Sequence, residues 1–253
     1  MRQGTDVGRL VFLHGFTQTH RHWHRCAFSI ARRLDHPDVV FVDLPGHGLS
    51  TDDARGIGEA AEAMTDLAGT GTYVGYSMGG RYALHAALTG DARVERLVLL
   101  GATPGIDADG ERATRRTADE DRARRIGEIG VERFVDEWLA APLFSTLPPE
   151  RAGRRERLRN TAAGLAHSLR SAGTGVQASL WGRLGEVGIP ALVLAGELDG
   201  KFTEIGTRMA DALPNADFAV VAGAGHAAHA EQPDRTAAIV ADWILHQAQD
   251  AAR

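Results

Sequence analysis

The chain has 253 residues, 43% of them hydrophobic and 24% charged, with a formal net charge of −5 and a single cysteine, Cys26. That length suits one core carrying an insertion, the lone cysteine excludes a disulfide framework or a cysteine-rich zinc site, and the acidic balance gives no reason to expect nucleic acid as a partner. No apolar run nears the roughly 18 residues of a membrane span, and the N-terminal MRQGTDVGRL has no signal-peptide core, so the expected setting is cytoplasmic with no membrane partner.

In chain order, a strand is predicted at Leu10–Leu13, a helix near Trp23–Leu34, and a strand at Val39–Val42. A helix near Gly58–Leu67, a strand at Thr72–Val74, a helix at Met78–Leu88 and a strand at Arg96–Leu100 follow. Residues 104–185 then break the alternation. They hold no convincing strand, only a polar helical pattern punctuated by Pro142, Pro148 and Pro149, with 14 Arg against 12 acids. The alternation resumes with a strand at Ala191–Leu194, a helix near Glu204–Leu213 and a strand at Phe218–Val221. The last helix starts at Pro233, a residue suited to a first turn, and carries Ala237, Val240, Trp243 and Ile244 on one stripe. Near-continuous apolar strands alternating with helices predict an α/β fold whose mainly parallel sheet is covered on both faces. Residues 1–103 and 186–253 form the expected core, and 104–185 a helical cap placed to roof a site at the carboxyl edge of the sheet.

Gly75-Tyr76-Ser77-Met78-Gly79 follows a predicted strand and opens a predicted helix, the setting of a nucleophile elbow. Its serine needs a histidine to take its proton and an acid to orient that histidine. Asp199 and His226 lie just beyond the strands Ala191–Leu194 and Phe218–Val221, on the same edge as Ser77, with Glu197 as the weaker rival for the acid. His14-Gly15-Phe16 follows the first strand, so the backbone N–H groups of Phe16 and Met78 are the expected oxyanion hole. His14 reads as a loop brace and His47, in Asp43–Gly48, as a packed loop histidine. His20, His22 and His24 have a spacing that does not converge on a metal and read as a solvated loop.

Arg81 lies four residues after Ser77, on the same face of the elbow helix. A cation there is costly to desolvate unless paired. Its partner is either an acid of the protein or a carboxylate of a substrate. Lys201 is the only lysine, so the cap's cations are all arginines, which suit an anionic small molecule or merely a solvated helix face.

These motifs together resemble the α/β-hydrolase family across essentially the whole chain. The stretches Gly75–Arg81, Gly196–Phe202 and Gly225–Pro233, with Trp138, Pro142–Ser145 and Leu158–Asn160 in the cap, are similar to one branch, the 2-succinyl-6-hydroxy-2,4-cyclohexadiene-1-carboxylate synthases. The resemblance implies a lyase that eliminates pyruvate from a polycarboxylate small molecule, with Ser77 as base rather than acyl acceptor. It implies Arg115 and Arg159 as further carboxylate ligands beside Arg81, and Tyr76 and Trp138 as pocket walls. It implies no metal and no organic cofactor. The alternatives are a serine hydrolase of an ester, lactone or carbon–carbon bond, and a non-catalytic binding protein, which has no need of an intact triad.

Overall fold

Alternating apolar positions along the strands divide the interior into two cores on either side of one sheet. The computed structural model describes residues 7–35 and 37–251. Its strands are β1 (Leu10–Leu13), β2 (Val39–Val42), β3 (Gly71–Tyr76), β4 (Val94–Leu100), β5 (Ala191–Gly196) and β6 (Ala216–Val221). They pair in parallel in the order β2-β1-β3-β4-β5-β6. Leu10, Phe12, Val74, Val98 and Leu192 face one side, against α1 (His24–Arg33) and the final helix, which runs Pro233–Ala251. Val11, Leu13, Tyr73, Leu97, Leu99 and Val193 face the other, against α2 (Ile57–Ala68) and α3 (Met78–Leu88). Side chains alternating across each strand produce this partition.

Coverage on both faces holds for the inner strands but not for the two edges. β2 is half-buried throughout, and β6 exposes Asp217 and Val220. An edge strand has only one neighbour to shield it, which corrects the expectation of uniform burial.

Between β4 and β5 there is no strand. The segment is built from α4 (Asp109–Leu139), α5 (Arg154–Arg157), α6 (Ala162–Ala172) and short 3-10 turns. α4 is broken at Gly130, whose φ of 75° lies outside helical space. Ala123, Ile126 and Phe134 of α4 pack with Leu165, Ala166 and Leu169 of α6 in a small core of their own. This helical segment touches the sheet domain at close range. A Cβ on Gly46, in the turn after β2, would stand 2.3 Å from the Gly164 carbonyl oxygen. The remaining helices are α7 (Gly200–Ala212), α8 (Ala228–Glu231) and α9, the final helix. No described helix is long and apolar enough to cross a membrane.

Candidate active site

Strand order reverses between β1 and β3, and the loops leaving their carboxyl ends form a crevice there. Ser77 sits between β3 and α3 with φ 51° and ψ −108°, a strained conformation for a residue with a side chain. Two glycines permit it. A Cβ on Gly75 would lie 2.5 Å from the Gly79 backbone, and one on Gly79 would lie 2.2 Å from the Leu13 carbonyl oxygen. The turn thus holds Ser77 above the sheet edge, and Met78 occupies the first position of α3.

His226 and Asp199 arrive from β6 and β5. The His226 Nδ1–H donates to Asp199 Oδ2 at 2.8 Å, which leaves Nε2 free to accept from the Ser77 hydroxyl at 3.3 Å. Asp199 also caps α7, accepting the Phe202 N–H at 3.3 Å. Glu197 accepts the Gly223 N–H at 2.8 Å and does not touch His226. Sequence reasoning missed Glu231. Its buried carboxylate accepts the N–H groups of Gly225 and Ala227 at 2.8 and 3.0 Å, bracketing His226 on both sides. A carboxylate five residues after the histidine was the available signal.

Phe16 and Met78 both line the cavity beside Ser77, and neither N–H donates to an acceptor among the described residues. The loop that carries Phe16 is braced from below. His14 Nδ1–H donates to the Gly15 carbonyl at 2.9 Å, and its Nε2 accepts the Leu44 N–H at 3.0 Å. His47 Nδ1–H donates to the Pro45 carbonyl at 3.0 Å while its Nε2 accepts the Thr17 N–H at 3.2 Å. Burial pushes these imidazoles down, to about 4 for His14 and about 3 for His47, so both are neutral and their tautomers are set by those bonds. Both act as the loop histidines their sequence positions predict.

The histidines His20, His22 and His24 do not form a solvated loop. They occupy a 3-10 turn running into α1, because His20 is held there by Asp43, which accepts its N–H at 2.7 Å and its Nδ1–H at 2.8 Å. Among the described residues no three His, Cys, Asp or Glu side chains converge as a metal site.

The cavity over Ser77 and His226 measures about 600 Å³ and is roofed by α4 and α6. Arg81, Arg115, Arg122, Lys201 and Arg208 line it, against Asp107, Glu111 and Asp119. Arg81 is buried. Its Nη1 donates to the Gln177 side-chain oxygen at 2.9 Å, and no ion pair to it occurs among the described residues. Desolvation, with Arg115 adding repulsion, pushes it down to about 10. Arg115 and Arg122 both reach Asp119, at 2.8 and 3.2 Å. Trp138 forms a wall, edge-on to Phe16 with centroids 5.3 Å apart.

Two expected site residues lie elsewhere. Tyr76 is buried behind the triad, its ring 5.3 Å from His226 and 4.3 Å from His229, and does not line the cavity. It shares a face of β3 with Val74, so the strand turns it into the α1 and α9 side. Arg159 is half-exposed, 3.7 Å from Glu156, and is also absent from the cavity wall. The inward position of that segment belongs to Arg157. A more open cleft of about 720 Å³ between Val7, Arg9, Asp38 and Leu245 lies at the amino ends of the strands, away from Ser77.

Comparison with known proteins agrees with this fold. Residues 10–239 match the alpha/beta hydrolase family. A Bacillus subtilis (strain 168) protein named for 2-succinyl-6-hydroxy-2,4-cyclohexadiene-1-carboxylate synthase is 36% identical over 93% of the chain and 89% of the relative. The synthase of that name from Klebsiella pneumoniae is 33% identical, covering 93% of each. The structure of MenH from S. aureus matches with a TM-score of 0.87 and 34% identity, over 96% of the chain and 95% of that protein. An esterase from Thermogutta terrifontis, at 23% identity and a TM-score of 0.76 over 95% and 90%, shares the fold. The chain belongs to the alpha/beta hydrolase family, on its 2-succinyl-6-hydroxy-2,4-cyclohexadiene-1-carboxylate synthase branch.

Proposed function

We propose that the chain is a lyase of menaquinone biosynthesis that eliminates pyruvate from 2-succinyl-5-enolpyruvyl-6-hydroxy-3-cyclohexene-1-carboxylate to give 2-succinyl-6-hydroxy-2,4-cyclohexadiene-1-carboxylate. The observation that carries this reading is Arg81, a buried guanidinium on the cavity wall beside Ser77 whose only side-chain hydrogen-bond partner among the described residues is a neutral amide. A site built for neutral esters has no use for that arrangement, whereas a substrate carboxylate completes it through a charge-assisted bond. Arg115, held by Asp119 on the same wall, is a second carboxylate ligand, and Trp138 is a flat wall for the ring.

In the reaction, the Ser77 hydroxyl passes its proton to His226 Nε2 while its oxygen removes the ring proton next to the succinyl ketone. Asp199 holds the imidazole in the required tautomer and stabilises the imidazolium. Negative charge moves onto the ketone oxygen and is met by the Phe16 and Met78 N–H groups. The electron pair then shifts through the ring, the carbon–oxygen bond to the enolpyruvyl group breaks, and a second ring double bond forms. The departing enolpyruvate takes the proton held by the His226 imidazolium and ketonises to pyruvate. Ser77 is left as a hydroxyl carrying the ring proton, His226 is neutral again, and no water is consumed. The triad roles, the Phe16 and Met78 oxyanion hole and the division into a core and a cap at residues 104–185 all belong to this reading, as does action in the cytoplasm.

Purified protein is expected to release pyruvate from the enolpyruvyl cyclohexene, with activity unaffected by EDTA. Rapid turnover of aryl esters with no pyruvate release would replace this reading by a serine hydrolase.

A further inference from the structure

Arg157 is a cap residue with 1% exposure, among the most buried side chains of the molecule. Among the described residues it makes no ion pair, and it does not line the cavity. Burial alone holds its guanidinium down at about 10. An unneutralised buried cation is costly and is usually retained only where its hydrogen bonds are needed. Two of its three bonds converge on one loop. Nε donates to the Ala152 carbonyl at 2.9 Å, while Nη1 donates to the Thr17 hydroxyl and, at 3.4 Å, to the Phe16 carbonyl.

Thr17 has a φ of 65°, the left-handed region that a β-branched residue avoids. It is held there at every polar atom. Its N–H donates to His47, its carbonyl accepts from the Asn160 side chain at 2.7 Å, and its hydroxyl accepts from Arg157. The Phe16 carbonyl is taken by the same guanidinium. Among the described residues, what remains unbonded in this two-residue segment is the Phe16 N–H, beside Ser77.

We propose that Arg157 is a positioning residue for the oxyanion hole: a cap guanidinium that fixes the Phe16–Thr17 segment so that the Phe16 N–H is aimed at the reacting oxygen. The proposal rests on the role of Phe16 given above, and not on the identity of the substrate. Asn160 supports the same segment from the neighbouring turn, linking Thr17 to the Gly48 N–H, which its side-chain oxygen accepts at 2.8 Å. Oxyanion donors act only when they are already in place, so a loosened Phe16 lowers the rate of the chemical step without weakening ground-state binding.

Two measurements on the full chain test this. In pyruvate-release kinetics, Arg157→Met is expected to lower kcat by about 100-fold, the scale of losing one oxyanion donor, with KM within about twofold because Arg157 does not touch the cavity. Arg157→Lys should recover about tenfold of that loss, since an ammonium can still reach the Thr17 hydroxyl. In protein labelled with 15N-phenylalanine, the Phe16 amide resonance, identified by its loss in Phe16→Leu, should move in Arg157→Met and return toward its original position in Arg157→Lys. Methionine in place of a buried cation is compatible with folding, and Asn160→Ala offers a milder perturbation with the same expected direction in both readouts. A raised KM with kcat intact would make Arg157 a substrate ligand and overturn the proposal. An unmoved Phe16 resonance in Arg157→Met would overturn it too, even if the unaltered protein released no pyruvate and the proposed reaction were wrong.

Discussion

Arg81 donates to Gln177 at 2.9 Å, and Gln177 in turn donates through Nε2 to the Pro104 carbonyl at 3.0 Å, so the buried cation beside Ser77 is tethered by a neutral amide to the segment leaving β4. This arrangement orients the guanidinium without discharging it. Arg81→Ala is therefore expected to leave the melting temperature unchanged or slightly higher, because a desolvated charge is removed and no acid is stranded. Turnover efficiency should fall by about 10- to 150-fold, the equivalent of about 1.5–3 kcal/mol for a charge-assisted hydrogen bond. A large loss of stability with normal turnover per folded molecule would show that Arg81 serves the fold alone.

The amide itself gives a second, opposite test. Gln177→Glu would place a carboxylate against Arg81 and neutralise it in the empty cavity, with the new ion pair offsetting the lost bond to Pro104. A substrate carboxylate would then have to compete with an internal one. KM is expected to rise by about tenfold or more, the scale of about 1.4 kcal/mol in binding, while thermal stability holds. Unchanged KM in Gln177→Glu would separate Arg81 from substrate binding.

The proposed role of Asp199 as the acid of the triad is supported by contact. Asp199 reaches His226 at 2.8 Å, whereas Glu197 is engaged by the Gly223 N–H at the surface. Asp199→Asn should cost about 10⁴ in kcat by inverting the imidazole tautomer, and Glu197→Gln should stay within about threefold of the unaltered enzyme, as expected for a surface substitution. Adding Asp199→Asn to Ser77→Ala should lower activity little further, since the three groups act as a unit. A dead Glu197→Gln beside an active Asp199→Asn would reverse the assignment.

The parallel α/β architecture and the meeting of Ser77, Asp199 and His226 were legible because each depends on signals within a few residues: apolar runs, the glycines around Ser77, and an acid and a histidine just past two strand ends. Tyr76 came to be expected at the cavity wall through the resemblance, not through its own position on the strand. The alternation of β3, which puts Tyr76 with Val74, was the overlooked signal. Arg157 could not be told from Arg159 because α5 is one turn long and four arginines share it with its flanks. One turn has no period to read, and the choice of inward residue is made by the Phe16–Thr17 loop, far away in sequence. The histidines at 20–24 failed as a loop for a similar reason, since Asp43, their organiser, lies in the turn after β2.

Stability should fall in mild acid, before most carboxylates titrate. Burial holds His14 down to about 4 and His47 and His229 to about 3, whereas an unfolded histidine titrates near ~6.5. Between those values the unfolded chain binds protons that the folded one refuses. Stability is therefore full above about pH 6.5 and declines as pH drops toward 4, by up to about 1.4 kcal/mol per pH unit for each such histidine. Urea midpoints at a series of pH values across this range should trace the decline, and His47→Asn should flatten it. A midpoint independent of pH from 7 to 5 would contradict the neutral-histidine brace.

The contact between Gly46 and Gly164 has a consequence for how this molecule can be recombined. Each glycine faces the other's carbonyl, with no room for a Cβ on either side: one on Gly164 would lie 2.5 Å from the Gly46 oxygen. Asn160 and Arg157 add bonds from the same helical segment to the loops at 17 and 48. A roof exchanged with that of another hydrolase at the boundaries of residues 104–185 would thus arrive with the wrong footprint. It would meet a turn after β2 shaped for a glycine it lacks and a loop after β1 missing its guanidinium. Grafts that carry residues 14–18 and 43–50 along with the helical segment are the ones that would preserve both halves of the interface.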